Sequence, residues 1–226
     1  MDHNPDYNFK PDSYSSHTRI LNLVPSNSRV LDIGCYEGHL ARMLKNRNCE
    51  VTGVEKLPKA AEKARAHCSQ VITVDIEKEE IDLPANSFDV IILADILSFF
   101  VNPDSVLSKL RPALKENGRL ILSNGNVANI YIRLNLLLGK FDYQEKGILE
   151  HSHVKLYTHK NLKALLARNK FEIVQTAITP IPLLLVFPAL KDNFLFLKFY
   201  QGLYYFSLLF KNLFAYQFVF SCKKIN

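Results

Sequence analysis

The stretch VLDIGCYEGHLA, residues 30–41, decides the fold of this chain. It opens as an apolar strand, reaches the acid Asp32, and turns through Gly34 and Gly38 into a helix. Glycine at such points lets the backbone bend and lets a ligand approach the main chain closely. The helix that follows presents unpaired N–H groups at its start. A dinucleotide pyrophosphate loop beginning at Gly34 would need glycine at positions 36 and 39, where the chain has Tyr36 and His39. A Walker-type phosphate loop is also missing. An acid at the loop entry, Asp32, repels phosphate and suits a cationic ligand.

Strand and helix alternate on both sides of this loop. Residues 1–28 read as a polar arm and a short helix over 17–23. Downstream, 37–47 reads as an amphipathic helix, 50–55 as a second strand, and 58–68 as a helix with Pro58 near its start, where proline is tolerated. Residues 70–75 form a third strand. FDVIILAD, 88–95, is a continuous apolar run, as expected of a strand buried on both faces. A helix over 104–115, a stop at Asn117-Gly118 and a fifth strand over 119–124 complete the regular part. Such alternation predicts an α/β, doubly wound, mostly parallel sheet with ligands outside the carboxyl ends of its strands. The pattern then breaks. An insertion fills 126–158, a helix spans 159–170, a sixth strand 171–179, an apolar insertion 180–214 and a seventh strand 215–224. The whole reads as one domain, with 29–125 its ligand-binding half.

Composition excludes several classes. Of 226 residues, 48% are hydrophobic and 22% charged, so global disorder is ruled out. Eight glycines and ten prolines exclude collagen-like sequence. Four cysteines, none in a CxxC pair, suggest neither a zinc knuckle nor a disulfide scaffold, and reduced thiols fit the cytoplasm. The polar N-terminus has no apolar core of a secretory leader. The net charge of +6 permits contact with nucleic acid or an anionic membrane and, coming from scattered lysines, establishes neither. His151 and His153 stand two apart without a carboxylate cluster, so no metal site is expected.

Candidate ligand residues fall at successive strand ends. Glu55, with its neighbour Lys56, ends the second strand, where an acid can accept both hydroxyls of a ribose. Asp75 and Ile76 follow the third strand and could hold an adenine between a carboxylate and an apolar side chain. Ala94, Asp95 and Ile96 form the lip after the fourth. Cys35 reads as a small residue packed within the first loop rather than as a nucleophile.

The series VLDIGCYEGHLA, VTGVE, VITVDIE and FDVIILADIL resembles the motifs of class I S-adenosylmethionine-dependent methyltransferases across residues 17–179. The resemblance implies a seven-stranded Rossmann-like sheet with an antiparallel last strand, and S-adenosylmethionine as cofactor, leaving as S-adenosylhomocysteine. It places Asp32, Gly34 and Gly38 at the amino-acid end of the cofactor, Glu55 at the ribose, and Asp75 with Ile76 at the adenine, and Cys35, Lys56 and Ala94 join them as expected cofactor-binding residues. Tyr36 and Glu37 stand where many members carry small residues, and 96–100 reads ILSFF where relatives often have an acid and a histidine. Residues 136–166 are similar to a bacterial branch found with glycosyltransferases of surface-polysaccharide synthesis, through Glu150, Ser152, His153, Lys155, Tyr157 and Thr158.

These readings make the chain an enzyme that methylates a small-molecule, sugar or lipid-linked acceptor. His153 is the first candidate for a general base and Asp95 the second. Tyr14 and His17 could close the arm over the cofactor. A lipid-like or quinone-like acceptor and a binding scaffold without chemistry are the rivals. Nucleic acid is not expected as a partner, because ADILSFF lacks the Pro-Pro motif of base amino-methyltransferases. The apolar stretch 183–214 is broken by Pro188 and contains Lys198, Gln201 and Gly202, so it reads as a lid, a homodimer interface or an in-plane membrane contact rather than a span.

Overall fold

The computed structural model describes residues 13–225, so the first twelve residues of the expected arm lie outside the described residues. In chain order the elements begin with α1 (Ser16–Leu23), β1 (Arg29–Ile33), α2 (His39–Lys45), β2 (Glu50–Glu55), α3 (Pro58–Ala64) and β3 (Gln70–Thr73). Next come β4 (Phe88–Ala94), α4 (Pro103–Leu110), β5 (Leu114–Gly125), α5 (Ile130–Leu137), α6 (His159–Arg168) and β6 (Phe171–Thr179). The last elements are α7 (Leu183–Val186), α8 (Phe194–Leu209), α9 (Lys211–Phe214) and β7 (Gln217–Lys224).

One seven-stranded sheet runs in the order β3-β2-β1-β4-β5-β7-β6. Strands β1 to β5 run parallel to one another, and β7 enters antiparallel between β5 and β6. The fold is therefore the expected Rossmann-like sheet with an antiparallel last strand. Strand β4 pairs with both β1 and β5 and is buried along most of its length, which is why its sequence is apolar without alternation. Helices pack on both faces. One core joins α4 and α6 to the sheet through Leu107, Leu110, Leu162 and Leu166; the other joins α1 and α2 through Ile20, Leu40 and Leu44.

Local chemistry sets the element ends. Ser15 caps α1 by accepting the Thr18 N–H at 3.2 Å, and Thr158 caps α6 by accepting that of Asn161 at 3.2 Å. The helix expected over 104–115 stops at Leu110, because Pro112 lacks the N–H a further turn needs. Asn117 and Gly118, read as its stop signal, lie inside β5, which shifts register against β4 between Phe88 and Val90. Strand β3 ends at Thr73, two residues early, so Asp75 sits in the turn beyond it.

Candidate functional site

Four loops meet above the carboxyl ends of β1, β2, β3 and β4. Asp32, next to last in β1, is 1% exposed. Burial first, and the Glu55 carboxylate second, push its carboxyl up to about 7. The loop after it bends through left-handed backbone at Gly34 (φ +71°), Tyr36 (φ +48°) and Gly38 (φ +78°). The N–H groups of Gly34 and Cys35 both donate to the Val54 carbonyl, at 2.7 and 3.2 Å. A Cβ on Gly34 would lie 2.1 Å from the Ile96 Cδ1, so the glycine makes room for the lip after β4.

Glu55 is 6% exposed and is held by two backbone donors. Its Oε2 accepts the Tyr36 N–H at 3.0 Å and its Oε1 accepts the Leu57 N–H at 2.8 Å. Each carboxylate oxygen keeps a second lone pair for a ligand hydroxyl. Lys56, beside it, is exposed.

Two expected ligand side chains point elsewhere. The Cys35 thiol is tucked under β2, where a Cβ on Gly53 would approach its Sγ to 2.5 Å. The neighbouring Cys68 thiol, then burial, then the Asp32 carboxylate keep it protonated, so Cys35 serves the loop through its backbone. Ile76 is packed in the core, and its carbonyl accepts Lys109 Nζ at 3.2 Å. Asp75 is half-buried and caps its own turn, with Oδ1 accepting the Glu77 N–H at 3.2 Å and Oδ2 3.6 Å from Lys78 Nζ.

Ala94 ends β4 half-buried, and Asp95 follows with φ +55°. Asp95 joins three distant elements. Its Oδ1 accepts Ser123 Oγ at 2.7 Å and Gln217 Nε2 at 3.0 Å, and its Oδ2 accepts Ser16 Oγ at 3.1 Å. Beside it, burial lowers the His17 imidazole against the pull of this carboxylate. Sequence reasoning missed Ser16, Ser123 and Gln217. For Ser123 the signal was a polar Ser-Asn-Gly run ending an apolar strand; Ser16 and Gln217 had none.

His153 stands over the same lip. The N–H groups of Val154 and Lys155 donate to the Ser98 carbonyl at 2.9 and 3.1 Å, pinning its loop to the turn after β4. The imidazole meets the Phe99 ring edge-on at 4.8 Å. Its Nδ1 lies 3.1 Å from the Ile148 carbonyl. A carbonyl only accepts, so in the neutral ring the proton sits on Nδ1 and the Nε2 lone pair stays available. Tyr14 packs against Tyr200 and Tyr204 of α8 at 5.4 and 4.6 Å, and the Arg19 guanidinium lies 4.7 Å from the Tyr204 ring centroid, so α1 and α8 close one flank.

A buried carboxyl with a raised pKa, a carboxylate with two spare lone pairs and a loop bent at two glycines stand together at the ends of β1 and β2. The family model described as a methyltransferase domain matches residues 13–176. The chain belongs to this methyltransferase family. Among the solved structures similar to it, an S-adenosylmethionine-dependent methyltransferase of Archaeoglobus fulgidus has a TM-score of 0.63 and 17% identity, covering 93% of this chain and 95% of that one. The magnesium protoporphyrin IX methyltransferase of Synechocystis PCC 6803, solved with bound S-adenosylhomocysteine, has a TM-score of 0.61 and 16% identity over 93% and 82%. Among curated relatives, the ubiquinone biosynthesis O-methyltransferase of Glaesserella parasuis is 34% identical over 107 residues, 43% of this chain and 45% of that protein. The enzyme of the same name from Paracidovorax citrulli is 27% identical over 157 residues, 66% and 65% of the two chains. The chain spans about half the length of the first of these relatives.

Proposed function

We propose that this methyltransferase moves a methyl group from S-adenosylmethionine to a hydroxyl oxygen of a small molecule, a sugar or a glycolipid. The observation that supports the choice of oxygen is the His153 imidazole, whose Nδ1 lies 3.1 Å from the Ile148 carbonyl in a loop tied to the Ser98 carbonyl after β4. The names of the curated relatives, O-methyltransferases, support the same choice.

Bound S-adenosylmethionine supplies an already activated methyl group on a sulfonium, open to in-line displacement. This chain's residues orient and exclude water. Asp32 and the loop from Gly34 through the Cys35 backbone to Gly38 take the cationic amino-acid end. Glu55, flanked by Lys56, accepts the ribose hydroxyls. Asp75 and the backbone of Ile76 face the adenine beside Ala94. His153 Nε2 takes the acceptor's hydroxyl proton while Nδ1–H stays on Ile148. Asp95 already serves three donors, so it positions α1, β5 and β7 rather than acting as a base. The loop with Glu150, Ser152, Lys155, Tyr157 and Thr158 supports a place in the surface-polysaccharide branch.

A second reading, favoured by the exposed apolar residues of α8 and by relatives named for ubiquinone biosynthesis, is a quinone-like or lipid-like acceptor met at the inner face of a membrane through 183–214. Incubation with S-adenosylmethionine carrying a tritiated methyl group separates the readings. The panel comprises a free hexose, a lipid-linked hexose and a polyprenylated catechol. Label in the hexoses supports the first reading, and label in the catechol alone the second. Bound S-adenosylhomocysteine with label in none leaves a binding scaffold.

A further inference from the structure

Helix α8, FLFLKFYQGLYYFSLL, is apolar around its whole cylinder, yet only Tyr200 and Ser207 are buried. Phe194, Leu195 and Leu209 are 68%, 76% and 76% exposed. A helix apolar on every side belongs against something. Helix α5 shares the problem, with Leu134 and Leu137 at 53% and 82%. Helices α5 and α9 spring from one root. Asn129, which caps α5, donates through Nδ2 to the carbonyls of Phe214 and Ala215 at 3.3 and 2.9 Å. Asn126 does the same to Asn212 and Ala215 at 3.2 and 2.9 Å. Both asparagines are fully buried, so α5 is tied to α9 and, through the chain just before it, to α8.

Charge says what covers them. Residues 194–214 contain Lys198 and Lys211 and no acid. Lys211 also lines a cavity of about 450 Å³ beside α6 and β6, together with His159 and Lys163. Glu172, the acid in that cavity, is taken by Lys223 at 3.0 Å. Among the described residues neither Lys163 nor Lys211 has an acidic partner. A two-fold contact between copies would bring this lysine-bearing surface against itself with no acid on the helix to answer it. Lipid phosphates would answer it. Among the described residues no helix is long and apolar enough to cross a membrane, so α8 would lie in the interfacial plane.

We propose that α5 and α8–α9 together form a docking surface for an anionic bilayer leaflet, with Lys163, Lys198 and Lys211 meeting headgroup phosphates. This deepens the second reading of the acceptor, but lipid binding is read without methyl transfer, so either can fail alone. The test is co-sedimentation of the chain with vesicles of phosphatidylcholine alone, or with about one third phosphatidylglycerol. The chain should pellet with the anionic vesicles, release as salt rises, and stay in the supernatant with phosphatidylcholine. Lys198→Glu combined with Lys211→Glu should weaken pelleting at least about tenfold, and so should Leu195→Ser combined with Leu209→Ser. Neither pair should alter S-adenosylhomocysteine affinity by titration calorimetry. No pelleting with anionic vesicles overturns the proposal. So does a stable dimer in analytical ultracentrifugation that Leu195→Ser splits, since a second copy would then own the surface. Loss of S-adenosylhomocysteine affinity in the lysine pair would also overturn it, because those residues would belong to the cofactor site.

Discussion

Tyr36 donates its backbone N–H to Glu55 Oε2 at 3.0 Å, joining the glycine loop after β1 to the end of β2 before any ligand arrives. Leu57 donates to the other oxygen at 2.8 Å. The carboxylate thus sets the shape of two loops and keeps half its accepting capacity for a nucleoside.

Glu55→Gln is therefore not a gentle substitution. A carboxamide has one oxygen, and its NH2 would face the N–H of Tyr36 or Leu57. A hydrogen bond to a charged group is worth roughly 1.5–3 kcal/mol, so S-adenosylhomocysteine affinity should fall at least about tenfold in Glu55→Gln. Glu55→Ala should lose at least as much. Titration calorimetry reads both; unchanged affinity would remove Glu55 from the site.

Gly34 carries two constraints that a pair of variants separates. Its φ of +71° penalises any side chain, by roughly 1–2 kcal/mol for an L-residue. Its missing Cβ also makes room for Ile96 Cδ1. Gly34→Ala should lower the urea midpoint, and Gly34→Ala with Ile96→Ala should recover the steric part but not the backbone part. Simple additivity of the two single effects would mean that Ile96 does not need the space.

Asp32 predicts a pH dependence of opposite sign to the usual surface carboxylate. Its folded-state pKa, about 7, lies above the ordinary value of 3.8. The folded chain therefore holds a proton that the unfolded chain has already released. The stability contribution is intact below the ordinary value and is lost as pH rises through about 7, on the order of a few kcal/mol. Without ligand, the thermal midpoint should fall from about pH 5 to about pH 8, and Asp32→Asn should flatten the curve. A midpoint that rises over this interval in the native chain and not in the variant would reverse the assignment.

His153 and Asp95 divide turnover from positioning. With an acceptor found, His153→Ala should lower kcat by about 100- to 10,000-fold and leave S-adenosylhomocysteine affinity unchanged. Asp95→Asn keeps one accepting oxygen and tolerates the left-handed backbone, so it should hold kcat within about tenfold. Asp95→Ala should instead loosen α1, read as faster amide exchange at Ser16 and His17. An inactive Asp95→Asn with intact exchange would make Asp95 the base.

Much of this was legible from residues alone, for local reasons. The apolar run of β4 announces a central strand because both its faces are covered. Gly34 and Glu55 stand out because each sits where an apolar strand gives way to a turn, and Gly38 because it opens the next helix. The rest depends on contacts far apart in sequence. Nothing near Asp95 announces Ser16 or Gln217, which arrive from the two ends of the domain. The side chains of Cys35 and Ile76 turn into the interior because Gly53 and the core beside α4 leave room for them there. Strand β3 stops early because it pairs only with β2 and is half open to solvent, so its last apolar residues gain little by pairing.

Strand β6 has one ladder partner, β7, and their first and last pairs are Phe171 with Lys224 and Thr179 with Gln217. That arrangement sets an order on synthesis. A ribosome adds about 5–20 residues each second, so β6 emerges and then waits while α7, α8 and α9 are made. During that interval the nascent chain carries an unpaired strand edge next to the long apolar helix α8. Only translation through β7 closes the sheet, which makes 180–214 the segment for which a chaperone or a nearby bilayer would matter most during biogenesis.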